Sequence, residues 1–341
     1  MKALVFVGPG EMAVLERPDR PPGHGEVLVT VRASGICGSD VHGYLGLTGR
    51  RQPGTIMGHE AAGLVLETGP DVSVARVGDR VALRSILACG TCGPCQQGRS
   101  NVCADRRGLG MQFDGAHAER SVVPEALAVP IPDSLSFEEA ALAEPLAVAL
   151  HAVAITPLEL SDTVAIVGAG PIGLLTLLAL RRRGVRSVAI TDRSPHRLAA
   201  ARELGADLAI DVGSSDPVPA ILVATGGLGA DVVFEAVGIT ATVAQSLAVA
   251  RTGGHVTWIG NSAPTVDLPM QDMVTRELTL RGSYAFAGEF EEAIDLLATG
   301  QIDVRPLIEL TARLDEGPEL FRRLGDGTLD AVKVVLIPSA R

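Results

Sequence analysis

The chain has 341 residues, of which 47% are hydrophobic and 20% charged, and its formal net charge is −11. Such a length and apolar content predict two globular domains rather than a disordered chain. The acidic balance argues against a nucleic-acid or anionic-membrane surface, because both require clustered Lys and Arg. Among the 29 basic residues only Lys2 and Lys333 are lysines, a bias that we attribute to a GC-rich coding sequence.

Neither a secretory signal nor a membrane span is predicted. The apolar start at 1–7 is too short for a signal peptide. The longest apolar run, 172–180, is interrupted by Thr176 and followed by three arginines. We therefore expect a soluble, cytoplasmic protein without membrane or nucleic-acid partners.

The first 150 or so residues have mainly β-type patterns. Residues 26–32 alternate apolar and polar side chains, and short apolar runs follow at 63–66 and 80–83. Gly- and Pro-containing turns separate these runs. The pattern predicts a β-rich first domain.

Potential metal ligands occur early in this β-rich region. Cys37 is followed some twenty residues later by the adjacent pair His59 and Glu60. One Cys, one His and a carboxylate would leave Zn²⁺ an open fourth position, as catalysis requires. Taken alone, a buried cysteine and a hydrogen-bonded core histidine are the commoner explanation of such residues.

A second group of cysteines is much tighter. Four thiols lie within fifteen residues, in a loop that contains Gly and Pro: Cys89, Cys92, Cys95 and Cys103. Four thiolates around Zn²⁺ make a closed tetrahedral site with no position for substrate. The spacing therefore predicts a structural zinc site, with disulfides or unliganded thiols as the alternative.

From about residue 162 strands alternate with helices, which predicts a parallel sheet. Strands are predicted at 163–167, 187–191, 231–234 and 255–259, and a helix at 172–183. A further helix should begin after Ser194 as N-cap and end at Gly205. Beyond residue 282 we predict a helix at 289–298 and a closing strand at 331–337.

A glycine-rich turn joins the first of these strands to its helix. It has the pattern G-x-G-x-x-G and comprises Gly168, Gly170, Pro171, Ile172 and Gly173 around Ala169. The helix N-terminus and the close approach of the backbone suit a pyrophosphate. Asp192, which ends the next strand, is placed to accept hydrogen bonds from the adenosine ribose. It favours NAD over NADP, although Arg193 and Arg197 could bind a 2′-phosphate.

Together these motifs resemble the zinc-dependent medium-chain dehydrogenases over essentially the whole chain. The resemblance rests on Cys37-Gly38-Ser39-Asp40, Gly58-His59-Glu60, the four-cysteine loop and the glycine-rich turn. It is strongest to the sorbitol and threonine dehydrogenase branch, where Glu-Pro is common in the third-ligand region, here Glu144-Pro145.

The resemblance implies an α/β fold with two domains. A GroES-like catalytic domain would be formed by 1–150 and 285–341, with a structural zinc lobe at about 85–107. A Rossmann domain at 151–284 would be inserted between these segments, with the active site in the cleft between the domains. By resemblance, two zinc ions per chain and NAD are the cofactors, and the protein is a homotetramer or, alternatively, a homodimer.

The family also implies roles for individual residues. Cys37 and His59 would bind the catalytic zinc, with either Glu60 or Glu144 as third ligand. Ser39 and His42 match a proton relay. Three further residues are candidates for contacting the substrate in the cleft: Tyr44, His117 and Tyr284. A loop packing role is an equally good explanation for His117.

The expected reaction is oxidation of a secondary alcohol of a polyol, sugar alcohol or cyclitol to the ketone. Zinc would polarise the alcohol, and hydride would pass to the nicotinamide. L-threonine 3-dehydrogenase and simple secondary-alcohol dehydrogenase activities are the alternatives within the superfamily. A zinc-free quinone or enoyl reductase lacks the ligand set that is complete here. A dinucleotide-binding sensor would predict a damaged catalytic constellation.

Overall fold

The computed structural model describes residues 1–49 and 51–338. This part of the chain divides into two compact units. Unit 1 combines Met1–Glu144 with the segment that begins at Phe286, and unit 2 is Pro145–Ala285. The first boundary lies a few residues before the domain boundary expected at 150/151.

The elements are numbered in chain order. The strands are β1 (Lys2–Gly8), β2 (Glu11–Glu16), β3 (Glu26–Gly35), β4 (Glu60–Thr68), β5 (Arg80–Leu83), β6 (Ile86–Leu87), β7 (Arg107–Gly108), β8 (Arg120–Pro124), β9 (Ala128–Pro130), β10 (Thr163–Val167), β11 (Ser187–Asp192), β12 (Leu208–Asp211), β13 (Ala230–Glu235), β14 (Ala250–Trp258), β15 (Thr279–Gly282), β16 (Ile308–Arg313) and β17 (Lys333–Ile337). The helices are α1 (Gly38–Tyr44), α2 (Gly93–Gln96), α3 (Phe137–Ala141), α4 (Ala143–Ile155), α5 (Pro171–Arg183), α6 (Pro195–Glu203), α7 (Pro217–Ala224), α8 (Thr240–Val249), α9 (Met270–Thr275), α10 (Glu289–Ala298) and α11 (Gly317–Gly325).

Unit 1 is built on a sheet with the strand order β16-β17-β3-β4-β5-β9, and β8 also pairs with β3. The alternation predicted for 26–32 is confirmed, because Val27, Val29 and Val31 are fully buried in one hydrophobic cluster. β17 comes from the far end of the chain and pairs antiparallel with β3. Residues from both chain ends therefore form one sheet, as the resemblance implied.

Unit 2 contains a parallel sheet in the order β12-β11-β10-β13-β14-β15. The strands predicted at 163–167, 187–191, 231–234 and 255–259 are confirmed as β10, β11, β13 and β14. Ser194 caps α6 by accepting a 3.1 Å hydrogen bond from the backbone N–H of Arg197. After this helix, Gly205 adopts φ +97°, which favours glycine.

The helices α3 and α4 were missed in the sequence, where the region up to 150 was predicted to be mainly β. Apolar residues occupy nearly every position of α4, and Leu146, Ala147 and Ala149 are fully buried. A helix that is apolar on all sides lacks the 3.6-residue period on which helix prediction depends. The capping box at the start of α3, Ser136 with Glu139, was an available signal.

None of the helices in 1–49 or 51–338 has the length and apolar character needed to cross a bilayer.

Candidate functional site

The four clustered cysteines surround one point in unit 1. A short helix, α2, begins after Cys92, and a 3₁₀ turn at Ser100–Val102 returns the chain to Cys103. The sulfur atoms of Cys92 and Cys95 are 3.5 Å apart, those of Cys89 and Cys103 3.5 Å, and those of Cys89 and Cys95 4.0 Å. A tetrahedron of thiolates with Zn–S bonds of about 2.3 Å has edges of about 3.8 Å. The donor set therefore fits a closed zinc site.

The surroundings shift the pKa values of two of these thiols in opposite directions. Backbone N–H groups of Thr91 and Cys92 lower the pKa of the Cys89 thiol to about 6. Burial and the neighbouring thiols raise the pKa of Cys95 to about 12. Zinc binding would release the protons that such a cluster otherwise retains.

A second group of donors forms where β3 and β4 lie side by side. Cys37 follows β3 as the N-cap of α1, and Glu60 is the first residue of β4, in register with Gly35. The Cys37 sulfur, one ring nitrogen of His59 and a carboxylate oxygen of Glu60 all lie within 4.8 Å of one another. Thiolate, imidazole and carboxylate are zinc donors, and three of them leave one tetrahedral position open.

The buried carboxylate of Asp40 lies beside the imidazole ring of His59. Its Nδ1 lies 3.4 Å from Oδ1 of Asp40, to which Arg51 Nη2 donates a 2.9 Å hydrogen bond. Burial alone would raise the pKa of the Asp40 carboxyl, but His59, His117 and Arg51 hold it well below its usual range. The Asp40 carboxylate thus faces Nδ1 at ion-pair distance, so Nε2 of His59 is the nitrogen that would bind a metal.

Glu60 has a partner that sequence reasoning missed. Lys333, the first residue of β17, places its Nζ 2.7 and 2.9 Å from the two carboxylate oxygens and 3.3 Å from the Ile36 carbonyl oxygen. Both side chains are 1% exposed. Gly35 makes room for the carboxylate, since a Cβ there would lie 2.3 Å from Glu60 Oε2. An isolated lysine in an apolar strand was the available signal, and coding bias does not explain it.

The carboxyl group of Glu144, the other candidate third ligand, has a different hydrogen-bond partner. It lies in the first turn of α4, is buried, and accepts a 2.6 Å hydrogen bond from Ser85 Oγ through Oε1. Burial raises the pKa of its carboxyl and the nearby Glu60 adds to the rise, while His59 and Lys333 oppose it. Among the described residues, the group within mutual ligand distance contains Glu60 rather than Glu144.

The predicted relay residues flank this group on α1. Ser39 is half-buried, and its Oγ lies 3.4 Å from the Cys37 sulfur. His42, one turn further along, is also half-buried, and this burial lowers the pKa of its imidazole. Both therefore retain surface through which a proton could be exchanged.

The three predicted substrate residues have different environments. Tyr44 packs into the core of unit 1, with its ring centroid 5.7 Å from that of Phe321. His117 has 0% exposure. Contact of His117 with a substrate and its packing alternative both stay predictions. Tyr284 is half-buried in unit 2, after β15.

In unit 2 the glycine-rich turn joins β10 to α5, with Pro171 at the first position of the helix. Gly168 has φ +102°, and a Cβ on Gly173 would lie 1.8 Å from the Gly168 carbonyl oxygen, so neither position accepts a side chain. The first backbone N–H groups of α5 therefore lie next to a turn whose glycines carry no side chains. This arrangement suits a pyrophosphate.

Asp192 ends β11 beside this turn. Its Oδ2 accepts a 2.7 Å hydrogen bond from the Ala169 N–H, and its Oδ1 accepts one of 2.9 Å from Ser194. Arg193 is exposed, whereas Arg197 extends along the turn, with Nη1 3.7 Å from where a Cβ on Gly170 would stand. A carboxylate and two guanidinium groups therefore lie at the expected adenosine end.

Two family models match the chain. The alcohol dehydrogenase GroES-like domain matches residues 23–133, and the zinc-binding dehydrogenase model matches residues 171–299. A sorbitol dehydrogenase of Bacillus subtilis (strain 168) is 35% identical over 344 aligned positions, which cover 99% of this chain and 98% of the relative.

Solved structures are similar over the same extent. A putative zinc-binding dehydrogenase from Sinorhizobium meliloti 1021, bound to NADP, is 35% identical with a TM-score of 0.92, and 99% of each chain is covered. An alcohol dehydrogenase from Escherichia coli CFT073, complexed with NADH, is 31% identical with a TM-score of 0.91, again over 99% of each chain.

Proposed function

The chain belongs to the zinc-dependent medium-chain dehydrogenases, in their polyol branch, and on that premise we propose that it oxidises a secondary alcohol of a polyol or cyclitol to the ketone, with NAD⁺ as hydride acceptor. The observation that carries the proposal is the convergence of Cys37, His59 and Glu60, whose ligand atoms lie within 4.8 Å of one another. The similarity to a sorbitol dehydrogenase supports a polyhydroxylated substrate.

Cys37, His59 and Glu60 would hold the catalytic zinc. When bound, this ion polarises an alcohol and lowers the pKa of its hydroxyl group. The thiolate and the carboxylate offset the charge of the cation, while Lys333 adds a positive charge beside Glu60. We propose Glu60 as the third ligand because its carboxylate oxygen lies within 4.8 Å of the other two donor atoms, with Glu144 as a second carboxyl group nearby.

Ser39 and His42 would carry the alcohol proton away. The Ser39 hydroxyl group can accept a proton from the substrate while donating its own. His42, whose pKa is lowered by burial, is neutral near pH 7 and can take up that proton. The geometry that supports this role is the 3.4 Å distance from Ser39 Oγ to the Cys37 sulfur.

Asp192 supports NAD⁺ as the preferred dinucleotide. Asp192→Asn is expected to lower kcat/KM for NAD⁺ roughly tenfold to hundredfold, since a hydrogen bond to a charged group contributes about 1.5–3 kcal/mol. The value for NADP⁺ should stay the same or rise, because a 2′-phosphate would no longer meet a negative charge. Initial-rate kinetics with both dinucleotides measure the ratio.

Asp211 provides the matched control, since it ends the neighbouring strand β12 and caps its own turn through Gly213 N–H. Asp211→Asn should leave the dinucleotide preference unchanged. An equal loss with both dinucleotides in Asp192→Asn would show that Asp192 only braces the glycine-rich turn.

The whole proposal is tested by following reduction of NAD⁺ and NADP⁺ by the purified protein. The panel consists of polyols, cyclitols, L-threonine and simple secondary alcohols, each with and without a zinc chelator. We expect turnover with a polyol or cyclitol and NAD⁺ that is lost on chelation and restored by zinc. Faster turnover of L-threonine or a simple alcohol would contradict the substrate class, and chelator-resistant turnover would contradict the role of zinc.

We further propose that the protein acts as a cytoplasmic homotetramer. The resemblance to the polyol branch supports this assembly.

A further inference from the structure

Three buried polar residues, Asp40, His117 and Ser34, lie one after another beside the imidazole of His59. Asp40 lies between two imidazoles, with His59 Nδ1 3.4 Å from Oδ1 and His117 Nε2 3.7 Å from Oδ2. The other ring nitrogen of His117, Nδ1, is 2.8 Å from the hydroxyl oxygen of Ser34. Asp40, His117 and Ser34 all have 0% exposure. No mechanism described above uses His117 or Ser34.

The hydrogen-bonding capacities of these groups define the arrangement that a neutral His117 would take. Ionised Asp40 is an acceptor only, so the nitrogen of His117 that faces it must carry the proton. Nδ1 of a neutral His117 is then an acceptor, to which the Ser34 hydroxyl group donates. Within the described part of the chain, neither His117 Nε2 nor His59 Nδ1 makes a hydrogen bond, and the Asp40 oxygens face them at 3.7 and 3.4 Å, within ion-pair distance.

The surroundings hold the His117 ring in this place. Gly58, directly before His59, has φ +95°, and a Cβ there would lie 2.5 Å from His117 Nδ1. The opposite side of the ring meets Phe321 at 5.9 Å between centroids, edge to face. A histidine that only filled space would need neither the Ser34 hydroxyl group nor the orientation toward Asp40.

Arg51 and His117 contact different oxygens of the Asp40 carboxylate. Arg51 Nη2 donates a hydrogen bond to Oδ1, the same oxygen that faces His59, and so constrains one oxygen of the carboxylate. On the other side, Oδ2 receives the Cys37 N–H at 3.3 Å and faces His117. Groups on both oxygens thus fix the plane of the carboxylate and the direction in which Oδ1 meets His59.

We propose that His117, set by Ser34, is a positioning residue of the catalytic zinc site: it fixes Asp40 and thereby the tautomer and orientation of His59. The inference rests on the proposed binding of zinc by Cys37, His59 and Glu60. Partners behind a metal-binding histidine typically change metal affinity or activity by about 10–100-fold. Because His117 acts through Asp40, we expect the lower end of that range.

The test is the zinc affinity of the holoenzyme in His117→Phe, which keeps an aromatic ring against Phe321. Zinc content is measured after equilibrium dialysis in buffers of decreasing free zinc, and the catalytic zinc is the ion that a Cys37→Ser variant lacks. We expect the dissociation constant of this zinc to rise about tenfold, whereas the zinc of the four-cysteine site stays bound.

Two variants separate positioning from packing. His117→Gln retains an N–H donor that can reach Asp40 and should keep most of the affinity, even if His117→Phe folds poorly. His255→Phe makes the same chemical change in unit 2 and should leave the affinity unchanged. In ¹⁵N-histidine NMR spectra, the His59 signals should report a changed tautomer balance in His117→Phe and the wild-type balance in His117→Gln.

The outcomes are distinct. If His117→Phe binds the catalytic zinc as tightly as the wild type, with unchanged His59 signals, the inference is overturned while the proposed function stands. If the wild type holds no zinc that Cys37→Ser lacks, both are overturned. Weaker binding that His117→Gln does not restore would assign His117 to packing and would also overturn the inference.

Discussion

In the protein freed of its catalytic zinc, replacement of Lys333 by methionine is expected to lower the free energy of unfolding of unit 1 by roughly 3–5 kcal/mol. Methionine fills a similar volume but leaves the Glu60 carboxylate, which is 1% exposed, without the cation that contacts both its oxygens. Removing one partner of a buried ion pair leaves an uncompensated charge in a medium that solvates it poorly. Denaturant unfolding followed by circular dichroism measures the change.

Two further variants identify the cause. In Lys333→Met with Glu60→Gln neither member of the pair carries a charge, and most of the lost stability should return. Lys2→Met, at the other lysine of the chain, removes an exposed ammonium group and should change stability by less than about 0.5 kcal/mol. A Lys333→Met protein as stable as the wild type would show that the pair does not balance a buried charge.

The second large effect is expected for Cys103→Ser. Cys103 is fully buried, and its sulfur lies 3.5 Å from that of Cys89 and 3.8 Å from that of Cys92. Structural zinc contributes on the order of 10 kcal/mol to the folding of small zinc domains. Without the fourth thiolate, one zinc per chain should be lost and the lobe at 85–107 should become the first site of protease cleavage.

Cys37→Ser is the matched control, because it removes one thiol of the other group. It should also lose one zinc per chain and should lose dehydrogenase activity, yet keep the wild-type cleavage pattern. Elemental analysis and limited proteolysis with mapped fragments measure both. Early cleavage within the lobe in Cys37→Ser, or an intact lobe in Cys103→Ser, would contradict the assignment of structural and catalytic sites.

Features encoded within a short stretch of chain were predictable from the sequence. The strands and helix around the glycine-rich turn were predicted because a buried strand, three glycines and a helix start follow one another directly. The four-cysteine cluster was predictable for the same reason, since its spacing alone limits how far apart the sulfur atoms can lie.

Contacts between distant parts of the chain were not predictable in this way. The sequence around Glu60 does not predict its contact with Lys333, because the pair forms only when β17 joins β3 in one sheet. The burial of His117 likewise depends on Phe321 and Ser34, which come from different elements. A loop histidine two residues after a glycine has the same local pattern whether it faces solvent or the interior.

The pairing of β17 with β3 also imposes an order on biosynthesis. On the ribosome, Pro145–Ala285 is complete and able to fold while β17 has yet to be made. Until Lys333 is added, the nascent chain holds Glu60 without its counter-charge, and the sheet that carries the metal ligands presents an unpaired edge beside β3. Unit 1 can therefore complete its sheet only late in translation, so the unit that carries the proposed catalytic zinc ligands is finished last.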